Sequence, residues 1–176
     1  MSRSSPYSEP TTQSLDLGRK GEEIAAAYLQ QLGFQIVMAN FSVPVGRNRN
    51  EAIVNAEIDL VAYEGPVLCF VEVKTRASDW FAPPTANVDL RKQRQIIRAA
   101  RAYRRMFGLT DERYRYDVVS IVLPGDPTTA EHGDPDTEAA IQGKAPAKTG
   151  LQIELLRGYW TEKKFRLRRQ YQPYWD

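Results

Sequence analysis

The segment from Val67 to Val73 constrains the fold more than any other part of the chain. Apart from Glu72 it is entirely apolar, and it follows the turn-forming pair Gly65-Pro66. A short apolar run of this kind, rich in valine and bounded by a turn, is typical of a strand buried on both faces. We therefore expect a central strand here, in a sheet that is covered on both sides.

Two charged residues lie on this same strand at alternate positions. Successive side chains of a strand point to opposite faces, so Glu72 and Lys74 share one face while Val71 and Val73 share the other. Acidic and basic side chains are rarely buried unless they are paired. The pattern indicates a functional site, and an interstrand salt-bridge cluster is the structural alternative.

The remaining pattern predicts an α/β fold with a mixed central β-sheet flanked by helices. Apolar spacing of three to four residues predicts helices, and short alternating or apolar runs predict strands. The second and third strands should be antiparallel, because only Glu64-Gly65-Pro66 joins them. The elements are a helix over 15–32, a strand over 34–38, a loop or irregular hairpin tip over 40–55, strands over 57–63 and 67–75, a helix from Asp89 to Phe107, and strands over 116–122 and 151–156.

Length and composition favour one domain with additions. The 176 residues suffice for one core, and the net charge of +2 is too small to identify a nucleic-acid binder. We expect a disordered tail over 1–13, a core over 14–123, a mobile loop over 124–150, and a last strand followed by a basic, aromatic segment over 151–176.

The residue types exclude several classes of protein. Cys69 is the only cysteine and His132 the only histidine, so an intramolecular disulfide, a cysteine-based zinc site and a histidine-rich zinc site are excluded. The cysteine content agrees with a reducing cytoplasm, and we interpret Cys69 as a core residue. No signal peptide and no apolar run of membrane-spanning length is present, so a soluble protein without a membrane partner is expected.

Several short motifs, taken in order, resemble one known family. They are Gly21-Glu22 with Ala25, Glu57-Ile58-Asp59-Leu60, Phe70-Val71-Glu72-Val73-Lys74-Thr75-Arg76, Lys92, and Arg115-Tyr116-Asp117-Val118-Val119. The chain over about 14–123 resembles the bacterial YraN family, also called UPF0102, which is regarded as endonuclease-like. Its core is similar to that of restriction endonucleases and archaeal Holliday-junction resolvases. The resemblance implies a restriction-endonuclease-like core and metal-dependent cleavage of phosphodiester bonds.

The same residues predict the metal site on chemical grounds. Carboxylates from two strands can hold Mg²⁺, or Mn²⁺ in its place, and Asp59 and Glu72 are the expected ligands. The resemblance implies the backbone carbonyl of Val73 as a further ligand. Lys74 would orient the attacking water or stabilise charge on the phosphate.

Two further acids are candidates for the same site. Glu22 lies at the edge of the buried stripe of the first helix, and an inward glutamate there would reach the metal site as a catalytic residue. The alternative is a carboxylate that is merely favoured by the helix dipole. Glu57 shares a strand face with Asp59, and it is either a supporting outer ligand or a solvated acid.

Lys92 and Asp117 are expected to support the site. Lys92 aligns with Ile96 and Tyr103 on the second helix, so its stem would be buried and its ammonium would point into the site; a snorkelling surface lysine is the alternative. Asp117 matches the Arg-aromatic-Asp pattern of the family. It would support the site from a neighbouring strand, or it would be a structural acid paired with Arg115 or Lys92.

A row of arginines on the second helix predicts contact with a phosphate backbone. Like charges at helical spacing destabilise a helix unless something neutralises them, and a solvated face is the alternative. The expected partner is nucleic acid, with DNA ahead of RNA, and pairing of two copies as a homodimer stays open. The predicted contact residues are Arg76, Arg91, Arg94, Arg98, Arg101 and Arg105.

The leading hypothesis is therefore a Mg²⁺-dependent endonuclease acting on structured or branched DNA. The main rival is a binding module that grips nucleic acid on the same fold without cutting it. The rival predicts salt-sensitive binding that survives loss of Asp59, whereas an enzyme would lose cleavage and keep binding.

Overall fold

The protein is an α/β fold built on one five-stranded mixed sheet. The computed structural model describes residues 12–77, 88–124 and 150–163. Its elements are α1 (Thr12–Gln31), β1 (Gln35–Arg47), β2 (Ile53–Glu64), β3 (Val67–Ala77), α2 (Leu90–Met106), β4 (Tyr114–Leu123) and β5 (Gln152–Trp160). The fold class predicted from the sequence is confirmed and is compatible with a restriction-endonuclease-like core.

The strands lie side by side in chain order, from β1 to β5. Strands β1, β2 and β3 form an antiparallel meander, β3 and β4 are parallel with α2 as the crossover, and β4 and β5 are antiparallel. The predicted antiparallel pairing of β2 and β3 is confirmed. Strand β3 is consequently central, as its apolar sequence predicts.

The two helices cover opposite faces of the sheet. On one face, Leu29 of α1 packs in a core cluster with Val71 of β3. On the other face, Ile96 and Tyr103 of α2 pack in a second cluster with Phe70 of β3. Neighbouring residues of β3 thus enter different cores, so the face that carries Phe70 also carries the even-numbered Glu72 and Lys74.

The helix ends follow their local sequence. The side chain of Asp89 caps α2 by accepting a hydrogen bond of 2.8 Å from the backbone N–H of Lys92. Gly33 after α1 and Gly108 after α2 have φ angles of +87° and +69°, which glycine adopts without strain. These predicted helix ends are confirmed, and the α2 cap holds the first turn of that helix, which carries Lys92.

The segment 40–55 is mostly strand, so the predicted loop was wrong, and the hairpin tip of the alternative prediction is confined to 48–52. Strand β1 continues to Arg47 and β2 begins at Ile53, with the two strands paired throughout this stretch. Each strand satisfies the backbone hydrogen bonds of the other, which overrides the loop-like composition. The register shifts between Pro44 and Gly46, the two residues that suggested a loop.

Parts of the predicted organisation fall outside the described residues. The positions 1–11 of the predicted tail, 125–149 of the predicted mobile loop, and 164–176 of the basic C-terminal segment lie there. Helix α1 begins at Thr12, inside the predicted tail, and β5 continues to Trp160, beyond the predicted end at 156. In the part of the chain that is described, no helix is both long and apolar enough to span a bilayer.

Candidate metal centre

The candidate site lies where β2 and β3 stop pairing. Their ladder runs from Glu64–Val67 to Leu60–Val71, and beyond it β2 pairs with β1 while β3 pairs with β4. Asp59 and Glu72 are the next residues on the two strands. A carboxylate oxygen of Asp59 accepts a hydrogen bond of 2.7 Å from the backbone N–H of Val73, in place of a ladder partner. The fork therefore brings the two acids together.

Two lysines from different elements meet the carboxylate of Glu72. The ammonium of Lys74 lies 2.7 Å from Oε1, and the ammonium of Lys92 lies 3.1 Å from Oε2. Lys92 is also 4.0 Å from Oδ1 of Asp59. The predicted inward orientation of Lys92 therefore agrees with its position, and the structure brings Asp59, Glu72, Lys74 and Lys92 into one cluster.

One oxygen of the cluster is incompletely satisfied. The side chain of Glu72 is only 1% exposed, and its Oε2 has no hydrogen-bond partner. The ammonium of Lys92 lies 3.1 Å from this oxygen and compensates its charge as an ion pair. Because a carboxylate oxygen has two lone pairs, Oε2 can accept a further donor or a cation beside or in place of Lys92.

The charges of the cluster shift the pKa values of its members. Burial and, next, the negative charge of Glu72 raise the pKa of Asp59 to about 7, although Lys92 and the N–H of Val73 oppose the shift. Burial disfavours the charged form of Lys92, but the carboxylates of Glu72 and Asp59 outweigh it and raise the pKa of that lysine. Asp59 therefore holds a proton more readily than an ordinary aspartate.

The donor set fits a hard divalent cation that keeps part of its water shell. Asp59 and Glu72 supply oxygen ligands of the kind that Mg²⁺ prefers, and Oε2 of Glu72 lacks a hydrogen bond. Within residues 12–77, 88–124 and 150–163, no group of three or more acidic, histidine or cysteine side chains is placed to hold a metal. The protein would thus supply two carboxylates, and the carbonyl of Val73, water and substrate oxygens would provide the rest.

Helix α1 approaches the site through a glycine. A Cβ atom on Gly21 would lie 1.7 Å from Oγ1 of Thr75, so only glycine permits this contact between α1 and β3. The adjacent Glu22 is half-buried, and burial raises its pKa, as do the charges of Glu57 and Glu72 to a smaller extent. Glu22 therefore lies within electrostatic reach of the cluster, while Glu57 is exposed at its edge.

Asn40 is a neighbour of the site that the sequence motifs did not include. Its side chain forms a hydrogen bond with Glu22, which opposes the upward shift of the pKa of that acid. Its φ angle of +52° is unusual for a residue other than glycine, although asparagine tolerates it better than most. The residue type was the only signal in the sequence, and it is equally typical of an ordinary turn.

Asp117 is not part of the cluster. It pairs in register with Val71 and lies on the α1 side of the sheet, opposite to Glu72. Both of its oxygens accept hydrogen bonds of 2.9 Å from Nε of Arg115, and one also accepts a bond of 2.8 Å from the N–H of Gly158. Of the two predicted roles of Asp117, this arrangement agrees with the structural one, a buried acid paired with Arg115.

The predicted nucleic-acid contacts divide between two places. Arg76 is two residues beyond Lys74 on β3 and shares its face. The five arginines of α2 in the predicted set are exposed and lie on the side of the helix turned away from its buried residues, so the structure does not bring them to the carboxylates. Arg101 forms an ion pair with Glu162. The arginines concerned are Arg91, Arg94, Arg98, Arg101 and Arg105.

Comparison with known proteins assigns the chain to a family. The model of the family described as "Uncharacterised protein family UPF0102" matches residues 21–121, which is more than half of the chain. The chain belongs to the UPF0102 family. The matched region contains the whole cluster of Asp59, Glu72, Lys74 and Lys92, whereas β5 lies outside it.

The match to this UPF0102 chain spans most of the length of several curated relatives. A UPF0102 protein of Geobacter sulfurreducens is 38% identical over 128 residues, 72% of this chain and 92% of the relative. One from Syntrophotalea carbinolica is 41% identical over 122 residues, which is 69% of this chain and 91% of the relative. One from Chlorobium chlorochromatii is 43% identical over 112 residues, which is 64% of this chain and 78% of the relative. The family resemblance stated from the motifs is thereby confirmed.

Proposed function

We propose that this UPF0102 chain is a metal-dependent endonuclease that hydrolyses phosphodiester bonds in structured or branched DNA. The observation that carries the proposal is the buried carboxylate of Glu72, which has one oxygen without a hydrogen bond and lies beside Asp59 at a fork between strands. A purely structural acid at this depth would be expected to have both oxygens hydrogen-bonded. The ammonium of Lys92, 3.1 Å away, compensates the charge of this oxygen, and a metal ion held by both acids would complete its coordination.

Each residue of the cluster has a role in such a reaction. A bound Mg²⁺ or Mn²⁺ would make a water nucleophilic at neutral pH and would neutralise charge on the phosphate. Asp59 and Glu72 would hold it, and the N–H of Val73 keeps Asp59 oriented. Lys74, whose ammonium is 2.7 Å from Glu72, would orient the attacking water or stabilise charge developing on the phosphate.

The surface charges support a nucleic-acid substrate. Arg76 follows Lys74 on the same face, and the exposed arginines of α2 provide a basic surface of the kind that neutralises phosphates. Arg98 and Arg105 have no ion pair with any acid of the described segments. The preference for structured or branched DNA rests on the resemblance to junction resolvases.

The test is cleavage of a labelled panel containing duplex, single strand, flap, four-way junction and RNA duplex. Each substrate is incubated with Mg²⁺, Mn²⁺ or EDTA, using wild type, Glu72→Gln, Lys74→Met and the control Glu23→Gln. Glu23 is an exposed acid on α1 and should not affect cleavage. The proposal expects metal-dependent cutting that is lost in the Glu72 and Lys74 variants and kept in the control.

A binding module without catalysis is the second candidate. The arginines of α2 are directed away from the carboxylates, so they could bind a backbone whether or not the cluster cuts it. Binding measured in parallel with cleavage separates the two. Salt-sensitive binding by wild type without cutting under any metal condition would favour the module and reject the nuclease.

A further inference from the structure

The ammonium of Lys92 occupies the space between the two proposed metal ligands. It lies 3.1 Å from Oε2 of Glu72 and 4.0 Å from Oδ1 of Asp59. The other oxygen of Asp59, Oδ2, accepts the hydrogen bond from the N–H of Val73. Lys74, in contrast, contacts only Oε1 of Glu72. Lys92 is therefore the internal cation that a metal ion would have to replace.

The balance of charge supports replacement rather than coexistence. Two carboxylates and two ammonium groups make the cluster neutral when all four are ionised. A divalent ion held by Asp59 and Glu72 would lie close to the ammonium of Lys92, and like charges at a few ångströms repel strongly in a partly buried site. Lys92 would then leave the carboxylates and become an uncompensated positive charge.

The structure permits this movement without rearranging the fold. The backbone N–H of Lys92 is fixed by the Asp89 cap, and the neighbouring Gln93 donates a hydrogen bond of 2.7 Å to the carbonyl of Val88. The side chain of Lys92 is nevertheless 30% exposed, so its long flexible stem can reach solvent. Only the side-chain torsions of Lys92 need to change.

We propose that Lys92 is a resident counter-cation that metal binding displaces, and that the displaced ammonium binds a substrate phosphate. The proposal rests on the proposed nuclease function and adds to it a coupling between the binding of the metal ion and the binding of the nucleic acid. In the metal-free protein the carboxylates retain Lys92; in the metal-bound protein Lys92 is available to the nucleic acid. By linkage, metal and nucleic acid raise the affinity of each other by the same factor.

The test measures binding rather than cleavage. Ca²⁺ serves as the probe ion, because it binds the same oxygen donors as Mg²⁺ with less demanding geometry. Calorimetry gives the Kd of Ca²⁺ without DNA, and fluorescence anisotropy gives the Kd of a labelled four-way junction in EDTA and in Ca²⁺. The proteins are wild type, Lys92→Met, Lys92→Gln, and Lys20→Met as an exposed-lysine control on α1.

The proposal predicts that loss of Lys92 changes the affinity for Ca²⁺ and the effect of Ca²⁺ on DNA affinity in opposite directions. Without the competing ammonium, both Lys92 variants should bind Ca²⁺ more tightly, on the order of tenfold, while the gain in DNA affinity caused by Ca²⁺ should be several-fold smaller than in wild type. Lys92→Gln keeps a hydrogen-bond donor near Glu72, so it replaces Lys92→Met as the test variant if Lys92→Met fails to fold. Lys20→Met should behave as wild type.

The remaining outcomes separate this proposal from the function on which it rests. If wild type binds Ca²⁺ and the Lys92 variants bind it equally or more weakly, Lys92 is a support for the site and the displacement is refuted, while the metal centre stands. If neither wild type nor variants bind Ca²⁺, the metal centre fails and the displacement fails with it.

Discussion

Two buried acids on neighbouring strands have opposite environments. Asp117 on β4 is fully buried on the α1 side, and both of its oxygens accept hydrogen bonds, from Arg115 and from the N–H of Gly158. Glu72 on β3 is 1% exposed on the α2 side, and its Oε2 has no hydrogen bond. Two acids of equal burial therefore differ in how their oxygens are paired, and this difference is what the metal-site proposal rests on.

The partners of the two acids differ in kind as well. On the α1 side, the rigid guanidinium groups of Arg115 and Arg157 both bind Glu64, so the charges there form a directional network. On the α2 side, the ammonium groups of Lys74 and Lys92 sit at the ends of flexible stems. The arginine network holds strands together, whereas the proposed displacement of Lys92 requires a flexible lysine stem of this kind.

The largest expected effect is on the structural side of the comparison. Asp117→Ala should lower the free energy of unfolding by about 2–4 kcal/mol, because Nε of Arg115 and the N–H of Gly158 lose their acceptor, although Arg115 keeps its ion pair with Glu64. Urea denaturation measures the change, and Glu154→Ala, an exposed acid on β5, is the control. A loss no greater than that of the control would refute the structural role.

At the candidate metal centre, a substitution is expected to raise the free energy of unfolding, by less than Asp117→Ala lowers it. The pKa of Asp59 is raised to about 7, so the folded protein loses stability as pH rises from the ordinary pKa of aspartate through that value. Asp59→Asn should remove this loss and stabilise the fold by ~1–3 kcal/mol at about pH 8, with little gain at about pH 4. Thermal unfolding at both pH values would contradict the account if the gain were independent of pH.

The contact between α1 and the site predicts a contrast between two glycines. Gly21→Ala should destabilise the fold by about 1–3 kcal/mol, because the new methyl group collides with Thr75. Gly18→Ala in the same helix meets nothing within 4 Å and should stabilise it by about 0.5–1 kcal/mol. Urea titrations of both variants measure the free energy of unfolding. Equal changes in that free energy would mean that the close approach of α1 to β3 is not required.

The smallest expected effect concerns the outer face of α2. Arg98→Gln should change stability by less than about 0.5 kcal/mol, because Arg98 is exposed and has no ion pair among residues 12–77, 88–124 and 150–163. In DNA binding, the slope of log affinity against log salt should decrease by about 1. An unchanged slope would identify this arginine face as merely solvated.

The face that carries the site was predictable because it depends on local geometry. Alternation along β3 places Glu72 and Lys74 together, and helical spacing directs Lys92 inward, as observed. The caps at Asp89 and Gly33 were equally local. These features need only the backbone periodicity of one element and a rough idea of which face is buried.

Features that depend on register or on distant partners could not be read from the sequence. The face of Asp117 follows from its pairing with Val71, and the Arg101–Glu162 ion pair joins residues 61 positions apart. The strands around Pro44 were missed because pairing between β1 and β2 overrides local propensity. Tertiary context decided each of these features.

The central claim is that Glu72 is a metal ligand, and Mn²⁺ binding tests it most directly. Calorimetric titration of Mn²⁺ is carried out on wild type, Glu72→Gln and Glu64→Gln, which alters an acid of the arginine network instead. The account predicts that wild type and Glu64→Gln bind Mn²⁺ with similar affinity and that Glu72→Gln loses this binding. Unchanged Mn²⁺ affinity in a folded Glu72→Gln protein would contradict it.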